Sequence, residues 1–434
     1  MLTNQGLPRD SSSLASKNIY DYWGNRVFTL LLINYTFYFL VRQNFSLALP
    51  YLESSLHLDK PQLGAIMTYS LFVFGVGKFA SGFILDLSSP KNFLAFGLIG
   101  SSAMNVAFSQ TSNITLLTVE WVLNALFQSV AWPQCVRLLN EWYSRETIGT
   151  RWGILSLGSQ LGTMLVFALF PPLIEGYGWR SSFLLPGIGG IIAGIVILFM
   201  PLDTPVALGV GSREQRYGIA RVVTTEHSPN TFADNTREVF AEIVRNRNLW
   251  FVSLAVFFLY IVRTGVSSWA PTYLHQARGM DLKWAGYHMI GYELFAAVGG
   301  FSSAWLSDTV FKGRRVEVGL LYFVASIIFL FGLWLAPLAG FVGEALLFAG
   351  LGFALVGPQL MASQAALDFT SRKAAIAANG FVGLFSCLGS SVFGGAGVGN
   401  IVQYQGWGGY FILLILCSTI GTLFFGKISF ERSF

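Results

Sequence analysis

Apolar residues fall into long runs along the chain, and polar residues gather in the short stretches between them. Many runs approach the ~20 residues that a helix needs to cross a bilayer. The pattern predicts twelve membrane-spanning helices, at residues 26–50, 62–86, 93–110, 115–138, 152–174, 181–200, 249–273, 286–306, 316–338, 341–364, 374–398 and 407–428. We therefore expect an all-α membrane protein with an N-terminal tail (1–25), two six-helix halves (26–200 and 249–434) and a polar central loop (201–248).

The two halves repeat each other in sequence. Arg42 follows Val41 inside the first apolar run and precedes Pro50 by eight residues, and Arg263 stands eight residues before Pro271 in the seventh run. The two arginines are 221 residues apart. Further matches, at offsets of 222 and 228 residues, pair Asp86 with Asp308 and Trp179 with Trp407. Parallel repeats of six helices are typical of transporters whose site lies near the bilayer midplane, between the halves.

Basic residues are spread unevenly over the two sides of the predicted membrane domain. Twelve helices place both termini and the central loop on one side, and 20 of the 27 Lys and Arg residues lie on that side. The opposite side has four, namely Lys60, Arg180, Arg278 and Lys283. Because Lys and Arg accumulate in cytoplasmic loops, we expect the termini to be cytoplasmic and the protein to lie in a bacterial inner membrane.

Composition narrows the class of function. Charged residues make up 11% of the chain, against roughly 25% in a soluble domain. The first 25 residues contain no apolar segment followed by a cleavage site, so we expect no removable signal peptide. Cys135, Cys387 and Cys417 lack metal-ligand spacing, and HExxH, Walker and nucleophile-elbow motifs are absent from the sequence. We expect no enzyme, metal site, cofactor or nucleic-acid partner, and the net charge of +5 reflects membrane orientation.

Arg42 and Arg263 are the main candidates for binding. An ionised side chain at the centre of a spanning helix costs about 2.5–3.5 kcal/mol on insertion scales, so it usually faces a cavity or a charged partner. Arginine suits phosphate because its planar fork donates two parallel hydrogen bonds. Tyr35 and Tyr260 lie on the same helix faces as the arginines. The alternative is that buried carboxylates neutralise both arginines, but the acids inside the spans are few: Glu120, Glu293 and Glu344.

Several other residues each have two interpretations. Lys78 either anchors its helix at the interface or joins the site. Glu293 is either a charge partner of Arg263 or a coupling group. Asp86 and Asp308 are either solvated helix ends or gating residues, and Trp132 either packs or lines the cavity.

Six segments of the chain resemble the organophosphate:phosphate antiporters of the major facilitator superfamily. They are residues 38–51, 78–82, 132–135, 269–274 with Arg263, 307–315 and 383–392. The later segments resemble bacterial glycerol-3-phosphate transporters most, and the first is also similar to hexose-phosphate members.

This resemblance implies alternating-access exchange of an organic phosphate, such as glycerol-3-phosphate or a sugar phosphate, for inorganic phosphate. It implies that Arg42 and Arg263 clamp the anion, with Tyr35, Tyr260, Lys78 and Trp132 around the substrate. It also favours a functional role for Glu293. A monomer is expected, with the lipid bilayer and small anions as its partners.

Two departures from the family bear on the substrate. Gln43 stands where the family usually has Lys, and Ser159-Gln160 aligns with a His of the glycerol-3-phosphate transporters. Gln43 and Gln160 are therefore candidate specificity residues. Two other functions stay open: a proton-coupled or facilitative carrier of another anion, such as a polycarboxylate, and a transporter-like receptor for sugar phosphate.

Overall fold

The computed structural model describes residues 10–84, 89–144, 147–211, 238–335, 340–371 and 374–432. Its helices form twelve spans in the predicted order. The first six are span 1, Asp10–Leu40 and Asn44–Leu56; span 2, Lys60–Ile84; span 3, Pro90–Gln110; span 4, Ile114–Gln128 and Ala131–Trp142; span 5, Ile148–Tyr177; and span 6, Ser181–Phe199. The next four are span 7, Arg247–Gln276; span 8, Leu282–Thr309; span 9, Arg315–Trp334; and span 10, Gly340–Asp368. Span 11 consists of Ala375–Ser391, the π-helix Val392–Gly397 and the start of Val398–Arg432, which becomes span 12 after a kink at Gly406.

Several spans begin at residues suited to capping a helix. The Ser89 hydroxyl accepts a hydrogen bond from Asn92 N–H at the start of span 3, where Pro90 occupies the first turn. Asn113 caps span 4, and Asn246 caps span 7 by accepting from Leu249 N–H at 3.0 Å. Such side chains satisfy backbone donors that have no partner within the helix.

Eight helical segments among the described residues are long and apolar enough to cross a membrane, and one, Ala377–Phe430, covers spans 11 and 12. The spans outside this set are 1, 2 and 8. These three contain Arg42, Lys78 and Glu293, whereas span 7, which contains Arg263, is within the set.

Three spans are not regular helices, although the sequence predicted continuous ones. Span 1 has a turn at 41–43, span 4 has a turn at 129–130, and span 11 contains the π-helix at 392–397. Interrupted helices are tolerated within membranes where neighbouring side chains satisfy the freed backbone groups.

Helical structure also extends into segments that the sequence analysis treated as tail and loop. Span 1 begins at Asp10, and residues 238–245 form a short helix before span 7. Tyr20 is buried, its hydroxyl donates to the carbonyls of Glu141 and Trp142 at 3.2 Å, and its ring lies 5.0 Å from that of Trp142. Packing against span 4 accounts for this longer helix.

Within each half, small residues let helix backbones approach closely. In the first half, a Cβ at Gly187 or Gly194 of span 6 would lie 3.0 or 3.2 Å from a carbonyl oxygen of span 3. In the second half, a Cβ at Gly299 or Gly352 would lie 2.0 Å from a carbonyl oxygen across the contact between spans 8 and 10. Glycine is required at these contacts because any side chain would separate the helices.

The halves meet at the ends of the spans opposite the termini, which we call the distal end. Here Gln276 Nε2 donates to Glu53 Oε2 at 2.7 Å, and the rings of Tyr51 and His275 stack at 5.7 Å. A Cβ at Gly64 would lie 2.7 Å from a carbonyl oxygen of span 11. The hydrogen bonds that join the halves within the described part of the chain lie between the middle of the spans and this end.

Candidate anion-binding site

Arg42 lies at the break in span 1. The helix ends at Leu40 and resumes at Asn44, and the Arg42 N–H donates to the Phe39 carbonyl at 3.3 Å. The Val41 carbonyl accepts from three buried side-chain amides, those of Asn105, Asn124 and Gln128, at 2.9, 3.2 and 3.3 Å. Side chains of spans 3 and 4 thus satisfy a backbone group next to Arg42.

Aromatic rings flank the Arg42 guanidinium. Its Cζ lies 4.4 Å from the centroid of the Phe74 ring and 5.7 Å from that of Phe39. Among the described residues it has no hydrogen bond or ion pair. An arginine carries five N–H donors. The rings cover part of the cation, and the donors are available to an anion.

Tyr35 and Trp132 lie in the same aromatic cluster. The Tyr35 ring is 5.4 Å from that of Phe39 and 5.6 Å from that of Trp132, and Trp132 is 5.8 Å from Trp152 of span 5. Tyr35 also interacts electrostatically with Arg42. Aromatic side chains of spans 1, 2, 4 and 5 thus form one chain of ring contacts that includes Arg42.

Arg263 lies on a continuous helix, in contrast to Arg42. Its Cζ is 6.0 Å from the centroid of the Tyr260 ring, and it interacts electrostatically with Tyr260, Tyr292 and Glu293. Glu293 is buried, 9% exposed, on span 8. Within the described residues Arg263 forms no ion pair and no hydrogen bond. The carboxylate lies close enough to act on the charge but does not occupy the guanidinium donors.

Lys78 is exposed and is placed one turn after Gly75 on span 2. A Cβ at Gly75 would lie 3.2 Å from Cys387 Cβ of span 11, so this face of span 2 is turned toward the other half. Cys387 lies within electrostatic range of Arg42, Lys78 and Tyr260, and Lys78 lies within that range of Arg42. This proximity places Cys387 near both arginine clusters and Lys78 with the Arg42 cluster.

The two glutamines have different surroundings. Gln43 Nε2 donates to the Ser267 carbonyl at 3.5 Å, which links the break in span 1 to span 7 one turn after Arg263. Gln160 is half-buried on span 5, and its Oε1 accepts from the Ser159 hydroxyl at 2.9 Å. No contact between described residues joins Gln160 to either arginine, so its assignment to the site stays a prediction.

The gating assignments concern the ends of spans 2 and 8. Asp308 is exposed near the end of span 8, and Asp86 lies outside the described residues. A gating role for the two aspartates stays a prediction.

The charged candidates in the middle of the described spans sum to a net positive charge. Arg42, Lys78 and Arg263 carry positive charge, and Glu293 is the carboxylate that acts on Arg263. Glu344, another acid inside the spans, is 3.1 Å from Arg278 Nε near the distal end and so is already paired. A separate pocket of about 370 Å³ at Met280 and Trp284 is distant from the arginines along spans 7 and 8.

Several residues that surround these charges could not be recognised from the sequence. Phe39, Phe74, Tyr292 and Cys387 resemble any other residue of an apolar helix. Asn105, Asn124 and Gln128 could be recognised in the sequence, because polar side chains inside apolar runs require hydrogen-bond partners once buried. The sequence does not indicate which partner each amide has.

The sequence of the chain matches a known family and is similar to several known proteins. The sequence pattern of the Major Facilitator Superfamily matches residues 31–394. The chain is 34% identical over 419 residues to the probable hexose phosphate transport protein of Chlamydia trachomatis, which covers 94% of this chain and 91% of that protein. It is 30% identical over 410 residues to the glycerol-3-phosphate transporter of Bacillus subtilis, covering 92% and 90%. It is 29% identical over 406 residues to the membrane sensor protein UhpC of Escherichia coli, covering 93% and 92%.

Solved transporter structures share the fold at low sequence identity. The nucleoside transporter NupG superposes with a TM-score of 0.71 at 14% identity, covering 94% of this chain and 99% of that one. A bacterial homologue of the human lysosomal transporter Spinster, inward-facing and unoccupied, gives a TM-score of 0.68 at 16% identity, covering 93% and 95%. The predicted fold of two six-helix halves is confirmed.

Proposed function

Because this chain belongs to the major facilitator superfamily, in its group of organophosphate:phosphate antiporter-type members, we propose that it exchanges an organic phosphate for inorganic phosphate across the membrane. The observation that carries the proposal is that Arg42 and Arg263 lie in opposite halves and neither forms an ion pair among the described residues. An anion that contacts both would satisfy both. The relatives named for hexose phosphate and glycerol-3-phosphate support a phosphorylated substrate.

The geometry supports different roles for the residues of the site. Arg42 and Arg263 clamp the phosphoryl group, and Lys78 adds positive potential. The phenol of Tyr35 and the indole of Trp132, 5.6 Å apart, lie beside the organic part, and Tyr260 and Gln43 complete the site. Glu293 orients Arg263 and limits the net charge, which favours release of the bound dianion.

The charges of the two arginines couple substrate binding to the motion of the two halves. Two guanidinium groups repel each other at short range, and a bound dianion removes that repulsion. The halves therefore rock between states readily when either phosphate is bound and poorly when the site is empty. The present state has the distal end closed by Glu53–Gln276 and by the contact of span 2 with span 11. Opening that end requires these contacts to separate.

The surroundings of the protein follow from the same function. We place it as a monomer in the bacterial inner membrane, with the termini, residues 1–25 and the central loop at the cytoplasmic face. The bilayer, inorganic phosphate and a small phosphorylated molecule are its partners.

The decisive test is an exchange assay in proteoliposomes. Vesicles loaded with inorganic phosphate should take up radiolabelled glycerol-3-phosphate or glucose-6-phosphate, and vesicles loaded with chloride should not. A pH gradient should have little direct effect, and Glu293→Gln should leave the exchange insensitive to it. Uptake that follows the pH gradient without internal phosphate would overturn the proposal in favour of a proton-coupled anion carrier.

A sensor is the second candidate function, since the chain is 29% identical to a membrane sensor protein over 93% of its length. A sensor would bind organic phosphate without exchanging it. Binding measured by ligand-induced thermal stabilisation, together with no exchange in vesicles of the same preparation, would favour this function. A gene neighbourhood containing a sensor kinase would point the same way.

A further inference from the structure

We infer that a buried amide network in the first half, formed by Asn105, Asn124 and Gln128, is a positioning device for Arg42. It holds span 1 open at 41–43 and so sets where the arginine side chain leaves the backbone. The inference rests on the proposed function, in which Arg42 binds phosphate.

The network converges on one carbonyl group. The Val41 oxygen accepts from all three amides at 2.9–3.3 Å, although it has two lone pairs. Gln128 Nε2 also lies 3.2 Å from Asn124 Oδ1, and the Ser101 hydroxyl donates to the same oxygen at 2.5 Å. The side chains of the three amides and of Ser101 are 0–4% exposed, so each depends on these partners.

The network also holds the far side of the break. Asn44, the first residue after the turn, donates from Nδ2 to Asn105 Oδ1 at 2.8 Å and to the Ser182 carbonyl at 2.9 Å. Asn105 therefore contacts span 1 both before and after Arg42. A side chain that is hydrogen-bonded on both sides of a helix break fixes the backbone geometry of the residues in the break.

The second half provides an internal comparison. The residues 222 positions after Asn105, Asn124 and Gln128 are Ile327, Leu346 and Gly350, none of which has an amide. Span 7 runs unbroken from Arg247 to Gln276 through Arg263. The halves share the Val-Arg-Pro pattern, and the break occurs in the half that has the amides. The amides, rather than the local sequence, account for the break.

The break at 41–43 gives Arg42 a backbone geometry that a regular helix would not have. The turn places Arg42 over the Phe74 ring, at 4.4 Å, with its donors free of described protein partners. If the break closed, the backbone of Arg42 would rotate and shift. A misplacement of about 1 Å in a positioning group can cost about a hundredfold in rate or affinity.

The test uses two variants of the network and a matched control. Asn105→Leu removes the shortest bond to Val41, and Gln128→Met removes one amide at similar volume. We expect the KM for exchanged phosphate to rise, roughly tenfold or more for Asn105→Leu and less for Gln128→Met, while the maximal rate per folded molecule changes little. Ser326→Ala, which breaks the buried Ser326–Ser418 bond of 2.5 Å in the other half, should leave KM unchanged.

Arg42→Lys distinguishes the positioning role of the network from the phosphate clamp itself. If Arg42→Lys raises KM or abolishes exchange but neither network variant raises KM, the positioning role is wrong and the proposed function stands. If Arg42→Lys leaves KM unchanged, the proposed clamp is wrong. A fall in melting temperature for Gln128→Met with unchanged KM, or an equal rise in KM for Ser326→Ala, would assign the network a merely structural role. Should Asn105→Leu fail to fold, Gln128→Met alone decides.

Discussion

The hydroxyl of Thr68 in span 2 donates to the Ser391 carbonyl of span 11 at 2.7 Å, at the contact between the halves. The same hydroxyl accepts from Ala396 N–H at 2.9 Å. These two backbone groups are five residues apart, the separation of a π-helical hydrogen bond. One side chain of the first half is therefore inserted into the π-helix of the second.

This insertion makes Thr68 a determinant of closure at the distal end. Thr68→Val removes both bonds, each of which contributes about 1 kcal/mol, and should shift the population toward the distal-open state. With Cys135, Cys387 and Cys417 replaced by Ala, cross-linking between Tyr51→Cys and His275→Cys should fall. Thr419→Val is the matched control, since its hydroxyl bonds within its own helix at 2.8 Å. Unchanged cross-linking in Thr68→Val would show that other distal contacts hold the closure.

The two arginines should each be required for binding as arginines. Lysine at position 42 or 263 keeps the charge but cannot reproduce bidentate geometry, so exchange should be abolished or severely weakened with expression intact. Phosphate competition in proteoliposomes measures this. Arg278→Lys is the control, because Arg278 is already paired with Glu344 at 3.1 Å. Near-normal affinity in Arg263→Lys would contradict the clamp.

Gln43 should influence the choice of anion. Its amide reaches the Ser267 carbonyl of the other half at 3.5 Å, a weak bond that a lysine can give up. Gln43→Lys adds positive potential near Arg42, so inorganic phosphate should bind more tightly and exchange should slow. Competition assays with several anions report both effects. An unchanged phosphate affinity and substrate ranking would place Gln43 outside the site.

Asn34 is expected to reduce the stability of the first half. It is 1% exposed, and neither atom of its amide has a hydrogen-bond partner among the described residues. Leaving a buried polar group unpaired costs about 1–3 kcal/mol, so Asn34→Leu should raise the melting temperature without changing exchange. Asn124→Leu is the contrasting variant and should destabilise. A loss of stability in Asn34→Leu would indicate that the amide has a partner such as a buried water.

Glu242 should give the helix at 238–245 a mild acid sensitivity. Hydrogen bonds from the Ser371 backbone N–H and hydroxyl, at 2.7 and 2.8 Å, hold the pKa of Glu242 below its usual range. A carboxyl whose pKa is lowered on folding stabilises the folded state above its unfolded pKa, and this contribution is lost as the pH falls through the folded pKa. Glu242→Gln should therefore flatten the acid side of the stability profile, measured by thermal melts from about pH 7 to pH 4. An unchanged profile would show that this contact does not contribute.

Much of the candidate site could be predicted from the sequence. Arg42 and Arg263 stood out as candidates because charge inside a spanning helix is costly, and their matching positions in the two halves predict a shared site. Tyr35 and Tyr260 followed from helical spacing, and both contact the rings or charges next to the arginines. Phe74 and Cys387 could not be predicted from the sequence, because the approach of span 2 to spans 1 and 11 depends on long-range packing.

The sequence by itself determined the number and order of the spans, since the length of an apolar run and the placement of Lys and Arg are local properties of the chain. The backbone at the two arginines was decided by tertiary structure. Arg42 and Arg263 have the same Val before them and the same Pro eight residues after, yet span 1 breaks and span 7 does not. The physical reason is that the Val41 carbonyl accepts hydrogen bonds from amides of spans 3 and 4 once the first half has packed. The sequence of span 1 alone does not indicate that these amides will lie next to it.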